Sequence, residues 1–324
     1  MAEPMEWRAS SEALHKEFKS VVESLSQVVI GQREAIELLL AACLAGGHAL
    51  LEDVPGTGKT RLASSLAAAL GLSFHRVQGT PDLLPADVVG TTIYHPAEEQ
   101  FRFHPGPIFT NVLLMDEINR ATPRTQSALL EAMAEGQVSA DGETMPLPQP
   151  FFVIATANPV ESQGVFPLPE AQLDRFLVQI RLGYLDADLE MAMVKRVAFG
   201  HDAPAVEMLT PAKVLAAQDA VRQTYISDDV LRYLIELSRA TRNHDQIILG
   251  ASPRAIVLLT RLTQAIAFLA GRSFVTPDDV RRAFPPVMSH RLQTDIGWMD
   301  RNAVDRVLTE IVSSVPVPHE REEG

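Results

Sequence analysis

The chain has a single cysteine, few aromatic residues and no long apolar run. Cys43 alone cannot close an internal disulfide, so the fold must stand without a cross-link, which suits a reducing compartment such as the cytoplasm. The longest apolar stretch, Leu38 to Ala45, is too short to span a bilayer and runs into Gly46-Gly47-His48, so no membrane insertion is expected. Glu3, Glu6 and Arg8 bring charge early, where a signal peptide needs its apolar core, so none is expected there. Basic residues are also scarce, 28 Lys and Arg against 41 Asp and Glu, for a net charge of −13. Such a chain repels a phosphate backbone on average, and no lysine cluster with interleaved aromatics marks a basic groove. The balance argues against a nucleic-acid substrate. What remains is 46% hydrophobic and 21% charged over 324 residues, enough for a substantial core and two domains.

The most informative segment is Leu50-Leu51-Glu52-Asp53-Val54-Pro55-Gly56-Thr57-Gly58-Lys59-Thr60. An apolar strand enters a glycine-rich turn, which ends in Gly-Lys-Thr and opens a helix. Glycines let backbone N–H groups converge on phosphate oxygens, the helix N-terminus adds its dipole, and a lysine reaches the β- and γ-phosphates. Pro55, Gly56, Thr57, Gly58, Lys59, Thr60 and Arg61 are therefore the candidate ATP-binding residues, with the Thr60 hydroxyl a candidate Mg²⁺ ligand. Asp53 stands where the usual phosphate-loop pattern begins with glycine. That position ends the strand and is not one of the phosphate donors.

Val112-Leu113-Leu114-Met115 precedes Asp116-Glu117, reading as a buried parallel strand that delivers two carboxylates to a site. Ligands in open α/β sheets sit at the carboxyl ends of strands. Asp116 is the candidate holder of Mg²⁺, and Glu117 the candidate general base for the attacking water.

Further strands are expected near residues 48–52, 73–77, 151–156 and 177–181, with helices at 10–27, 33–45, 59–70 and 122–135. Alternation of this kind predicts an α/β fold, a parallel sheet sandwiched by helices. After Arg181 the texture becomes helical, near 186–199, 211–222, 227–241, 253–270, 277–284 and 301–314. Thr210-Pro211, Ser227-Asp228-Asp229 and Thr276-Pro277 are helix-start signals. The expected division is a nucleotide-binding core over 1–184, a linker over 185–209 containing His201-Asp202-Ala203-Pro204, an all-helical smaller domain over 210–316 and a frayed tail over 317–324.

Three other positions carry chemistry. Val153 to Pro159 is another apolar strand ending in a polar residue, and Asn158 would help place the water if that strand lies between the other two. Arg175 precedes the last strand and is a candidate arginine finger for a neighbouring subunit, or else a local ion-pair partner of Asp174 or Glu170. Arg254 lies in the first turn of a helix capped by Ser252, where its charge opposes the dipole. An anion is expected beside it, with the triphosphate as candidate.

This ordered set resembles AAA+ ATPases, with Walker A ending at Thr60, Walker B at Asp116-Glu117, sensor 1 at Asn158, the finger at Arg175 and sensor 2 at Arg254. More narrowly, Gly-Gly-His before the first strand, Asp-Glu-Ile-Asn-Arg-Ala, Ala-Thr-Ala-Asn-Pro, Leu-Pro-Glu-Ala-Gln-Leu-Asp-Arg-Phe and Gly-Ala-Ser-Pro-Arg-Ala resemble the MoxR family over about residues 10–290. One departure is Gly183-Tyr184-Leu185-Asp186, where that family usually has proline after tyrosine. It bears on the local hinge.

The resemblance implies an AAA+ core with a helical lid, assembled as a homo-oligomeric ring, usually a hexamer, with ATP between subunits and Gly31 near the adenine. It implies a chaperone-like remodelling or maturation role, including metal-cofactor insertion, on protein clients such as von Willebrand factor A domain proteins. It also implies hairpin insertions at Thr91 to Thr110 and at Gln137 to Pro150, the latter turning at Asp141-Gly142. Tyr94, Phe101 and Phe103 on the first either grip a client or pack onto their own domain. Magnesium-chelatase motor subunits and replicative helicases share such insertions, and a slowly hydrolysing nucleotide-gated binding switch is a further alternative.

Overall fold

The computed structural model describes residues 5–52, 56–97, 99–140, 142–158, 164–199, 208–294 and 301–318. Helices α1 (Met5–Val28) and α2 (Arg33–Leu44) lead into β1 (Ala49–Glu52), whose residues are all buried. α3 (Lys59–Ala69), β2 (Phe74–Gln78) and the short α4 (Pro85–Val89) follow. An antiparallel hairpin of β3 (Gly90–His95) and β4 (Gln100–Pro105) then precedes β5 (Val112–Asp116) and α5 (Pro123–Glu135). A second hairpin pairs β6 (Gln137–Ala140) with β7 (Glu143–Pro146); its expected turn residue Asp141 lies outside the described residues, while Gly142 has φ +83°. β8 (Phe152–Ala157), α6 (Glu170–Leu173) and β9 (Val178–Ile180) complete the α/β part.

The sheet runs β2-β5-β8-β1-β9 with every neighbouring pair parallel. Alternation of side chains along each strand divides the apolar residues between its faces. Leu51, Val112, Leu114 and Ile154 join one core with α1, α2 and α3, while Leu50, Leu113, Met115 and Val153 join another with α5. A sheet so covered on both faces is the expected AAA+ architecture, and its carboxyl edge gathers Glu52, Gln78, Asp116 and Ala157.

α7 (Ala187–Ala198) occupies part of the expected linker; His201 to Pro204 lie outside the described residues. The helical lid comprises α8 (Pro211–Arg222), α9 (Asp228–Ala240), α10 (Pro253–Leu269), α11 (Pro277–Met288) and α12 (Arg301–Ser314). Two short antiparallel strands, β10 (Ile247–Leu249) and β11 (Gln293–Thr294), were not expected from the sequence. The start signals act as anticipated: Thr210, Ser227 and Ser252 accept bonds from first-turn N–H groups, and Thr276 forms a capping box with Asp279.

Among the described residues, the apolar core of the lid is continuous with that of the first three helices. Leu259, Leu262, Ile266 and Phe268 of α10 belong to the same apolar cluster as Phe18, Leu39 and Leu66 of the first three helices. Phe268 meets Phe18 edge-on at 6.1 Å between ring centroids. Polar contacts reinforce the seam, with Lys213 to Glu17 at 2.7 Å and Gln218 Nε2 donating to the carbonyl of Cys43 at 2.8 Å. Cys43 itself is buried, and burial pushes its thiol up to about 12, so it behaves as the expected small core residue. Among the described residues, no helix is long and apolar enough to cross a membrane.

Candidate functional site

The phosphate loop leaves the carboxyl end of β1. Gly56 and Gly58 have φ +88° and +87°, left-handed values that L side chains rarely adopt. Nothing lies within 4 Å of where a Cβ would stand at either, so glycine is needed for conformation, not for space. Gly58 is the N-cap of α3 and, lacking a side chain, does not itself cap that helix, which begins at Lys59 and Thr60. First-turn N–H groups at a helix N-terminus are what a bound anion uses. Pro55, with Asp53 and Val54, lies outside the described residues.

Beside the loop lies a cavity of about 310 Å³ walled by Val29, Ile30, Thr57, Arg61, Leu185 and Met193. Gly31 stands behind this wall at φ +75°, where an added Cβ would fall 2.4 Å from Leu185 Cδ2. A side chain at 31 would therefore push Leu185 toward the cavity. Gly31 itself is not among the residues that line the cavity.

The other half of the site gathers at the ends of β5 and β8. β8 lies between β5 and β1, the placement that Asn158 required, and Asn158 is buried. Thr156 Oγ1 donates to Asp116 Oδ1 at 2.6 Å and accepts from the backbone N–H of Glu117 at 2.8 Å. Glu117 has φ +53°, strained for a non-glycine residue, so the turn after β5 is held rather than relaxed. Its Oε2 receives Arg120 Nη1 at 3.3 Å, and Arg76 of β2 reaches Asp116 Oδ2 at 2.6 Å. Arg76, Arg120 and Thr156 were not singled out in the sequence. Thr156 sits inside a motif that was noticed, whereas Arg76 becomes visible only once β2 is known to pair with β5.

The arginines stand elsewhere. β9 begins opposite Ala49, the first residue of β1, and the loop before it carries Asp174 and Arg175. That edge is separated from the phosphate loop by the length of β1, about 13 Å for four residues. Arg175 Nη1 donates to the carbonyl of Leu130 in α5; Asp174 pairs with Arg291 at 2.7 Å and with Arg254 at 3.9 Å. The carboxylate of Asp174 is thus the anionic group that stands beside Arg254 in the described structure. α10 packs its apolar face on α1 and α2, and its N-terminus meets the loop before β9 through this Asp174 contact.

Residues 48–178 match the ATPase family associated with various cellular activities (AAA), and residues 239–311 match the AAA lid domain. The chain is 38% identical to chaperone MoxR1 of Mycobacterium tuberculosis over 91% of its own length and 80% of that protein's. It is 35% identical to protein MoxR of Paracoccus denitrificans over 94% and 97% of the two chains. It belongs to the MoxR family of AAA ATPases. A solved structure of an assigned ATPase from Cytophaga hutchinsonii superposes on it with a TM-score of 0.87, 36% identity and coverage of 96% and 98% of the two chains. As a member of this family the protein is an ATPase, with a parallel sheet followed by a helical lid.

Proposed function

We propose that the protein is a ring-forming, chaperone-like MoxR-type ATPase that hydrolyses ATP at sites shared between subunits and uses the cycle to remodel protein complexes. The observation that carries this reading is the division of the expected machinery between opposite edges of one sheet. Gly56, Gly58, Lys59, Thr60, Asp116, Glu117 and Asn158 gather toward the carboxyl edge, while Arg175 and Arg254 stand at the amino edge. A second copy is needed to bring the two sets together.

The site suits Mg²⁺. Mg²⁺ takes phosphate oxygens and water in preference to an all-protein cage, so one or two protein oxygens are enough to hold it. Thr60 and Asp116 would hold it, with the Asp116 carboxylate oriented by Thr156. When bound, the ion neutralises charge on the phosphate oxygens. Lys59 and the backbone of residues 56–60 grip the triphosphate, while Val29, Ile30 and Leu185 enclose the base. Glu117 accepts the proton of the attacking water, and Asn158 helps fix that water's position. Arg175 of the next subunit meets the negative charge that develops on the transferred phosphoryl group. Arg254, on the same edge, acts on that neighbouring nucleotide and reports its state to the lid.

The client side is the β3–β4 hairpin. Tyr94 and Phe101 are exposed and pair at 5.1 Å between ring centroids, an apolar grip for a polypeptide. Phe103 packs edge-on against Phe109 at 5.7 Å and belongs to its own domain. Protein clients with a von Willebrand factor A domain, a hexameric ring and a cytoplasmic location follow from the family resemblance.

The test is ATP hydrolysis across protein concentration for the wild type, Glu117→Gln and Arg175→Ala, with assembly size followed alongside. Specific activity should rise with assembly, and Arg175→Ala should bind ATP yet hydrolyse at least ~1,000-fold more slowly, the scale of an arginine finger. Activity that is independent of concentration and survives loss of Arg175 overturns the shared site.

A further inference from the structure

Arg291 follows α11 and is the most extensively bonded cation in the described lid. Its side chain is 3% exposed. Nε donates to Asp174 Oδ1 at 2.7 Å, and Nη2 to the Asp174 carbonyl at 3.2 Å. Nη1 reaches the Leu177 carbonyl at 3.3 Å, and Nη2 also bonds the carbonyl of Phe176. Nη1 further caps the carbonyl of Val287 in α11 and lies 2.6 Å from His290 Nε2. One guanidinium therefore grips residues 174, 176 and 177, the loop whose remaining member is Arg175. A planar fork with five N–H donors can satisfy the four acceptors of that loop at once, which an ammonium with three cannot.

We propose that Arg291 is the positioning residue for Arg175, locking the 174–177 loop to the lid so that the finger is presented to the neighbouring subunit's nucleotide. This rests on the reading of Arg175 as a finger acting across subunits. The loop is short, so fixing carbonyls on both sides of Arg175 leaves its Cα little freedom. The carboxylate of Asp174 is shared with Arg254, so the N-terminus of α10 and the end of α11 are tied to the same loop. A lid displacement would then move the finger with it. Preorganisation matters here because a misplacement of about 1 Å in a positioned catalytic group can cost ~100-fold in rate.

Mixed assemblies of full-length subunits test this. Glu117→Gln keeps its finger and lacks the base; Arg175→Ala keeps the base and lacks the finger. Mixed one to one, the two should regain activity that neither has alone. Arg291→Met should resemble Arg175→Ala: ATP binding within about threefold of wild type, kcat lowered by roughly 100-fold, rescue by Glu117→Gln and no rescue by Arg175→Ala. Arg291→Lys should not restore the rate, since it lacks the fork. Asp174→Asn, which preserves shape, should show the same complementation pattern at a smaller loss, and it serves in place of Arg291→Met should that variant not fold. Near wild-type kcat for Arg291→Met, or activity when it is mixed with Arg175→Ala, overturns the proposal. So does failure of folded Arg291→Met to be rescued by Glu117→Gln, because its own site is then damaged. Failure of the Glu117→Gln and Arg175→Ala pair to complement overturns the shared-site reading, and the proposal with it.

Discussion

Thr156 Oγ1 donates to Asp116 Oδ1 at 2.6 Å while accepting the backbone N–H of Glu117 at 2.8 Å, so one hydroxyl orients both carboxylate-bearing residues of the site. β8 lies beside β5, with Ala155 opposite Met115, and this register carries Thr156 to the end of the neighbouring strand. Thr156→Val keeps the shape and removes both bonds, leaving a partly buried N–H without its partner at a cost of about 1–3 kcal/mol. The expected outcome is a kcat reduced by roughly 10- to 100-fold with ATP affinity changed little, and partial recovery in Thr156→Ser. Equal turnover in wild type and Thr156→Val, measured at saturating ATP, would show that the hydroxyl does not set the base.

Arg76 makes a second prediction. Its guanidinium donates to Asp116 Oδ2 through Nε at 3.2 Å and Nη2 at 2.6 Å, and so competes for the carboxylate proposed to hold Mg²⁺. The pair is half-exposed on the arginine side, which limits its strength. Arg76→Gln should lower the Mg²⁺ concentration that supports half-maximal hydrolysis by roughly two- to fivefold, the scale of such an ion pair. A higher Mg²⁺ requirement in the variant would mean that Arg76 helps to orient Asp116 and does not oppose the metal.

These two residues mark where the sequence stopped being legible. The Asp116-Glu117 strand and the capped lid helices are local patterns, fixed by residues a few positions apart, and the structure has each of them. Asn158 needed one topological condition, β8 between β5 and β1, which the fold meets. Arg76 and Asp116 are 40 positions apart, and only strand pairing joins them. Arg254 depended on a still longer relationship. Its charge at a helix N-terminus announced an anion, and the packing of α10 against α1 and α2, through pairs such as Phe18 and Phe268, brings the Asp174 carboxylate beside it. Apolar faces say that they will be buried; they do not say against what.

His48 gives a pH prediction. It is buried, with Nδ1 accepting the N–H of Val153 at 3.0 Å and Nε2 donating to the Met133 carbonyl at 3.1 Å, an arrangement that needs the neutral ring. Burial lowers its pKa from 6.5 to about 4, with the Met133 bond opposing. The unfolded chain therefore binds a proton that the folded one refuses. The contribution is fully present above pH 6.5 and is lost as pH falls from 6.5 toward 4, by on the order of 3 kcal/mol at most. His290 is lowered in the same direction by burial and by Arg291, so the wild type should weaken steeply in mild acid. Chemical denaturation at pH 7.5 and 5.0 should show a smaller drop for His48→Gln than for wild type. Equal drops would remove His48 from the cause.

Asp279 should matter most for stability alone. It is buried, closes the capping box of α11 by accepting from the N–H and hydroxyl of Thr276, and takes both Arg272 nitrogens at 2.6 Å. The same contacts raise the pKa of Arg272, chiefly through the Asp279 bond, so the cation keeps its charge. Removing one side of such a pair strands the other and also uncaps the helix. Asp279→Ala should therefore cost about 3 kcal/mol, visible as a lower denaturant midpoint. Arg272→Met should cost less, because Arg272 is part-exposed and the capping box survives it. Neither variant touches the phosphate loop, so the folded fraction should bind ATP normally. A stability loss larger for Arg272→Met than for Asp279→Ala would show that the ion pair, and not the cap, holds α11 in place.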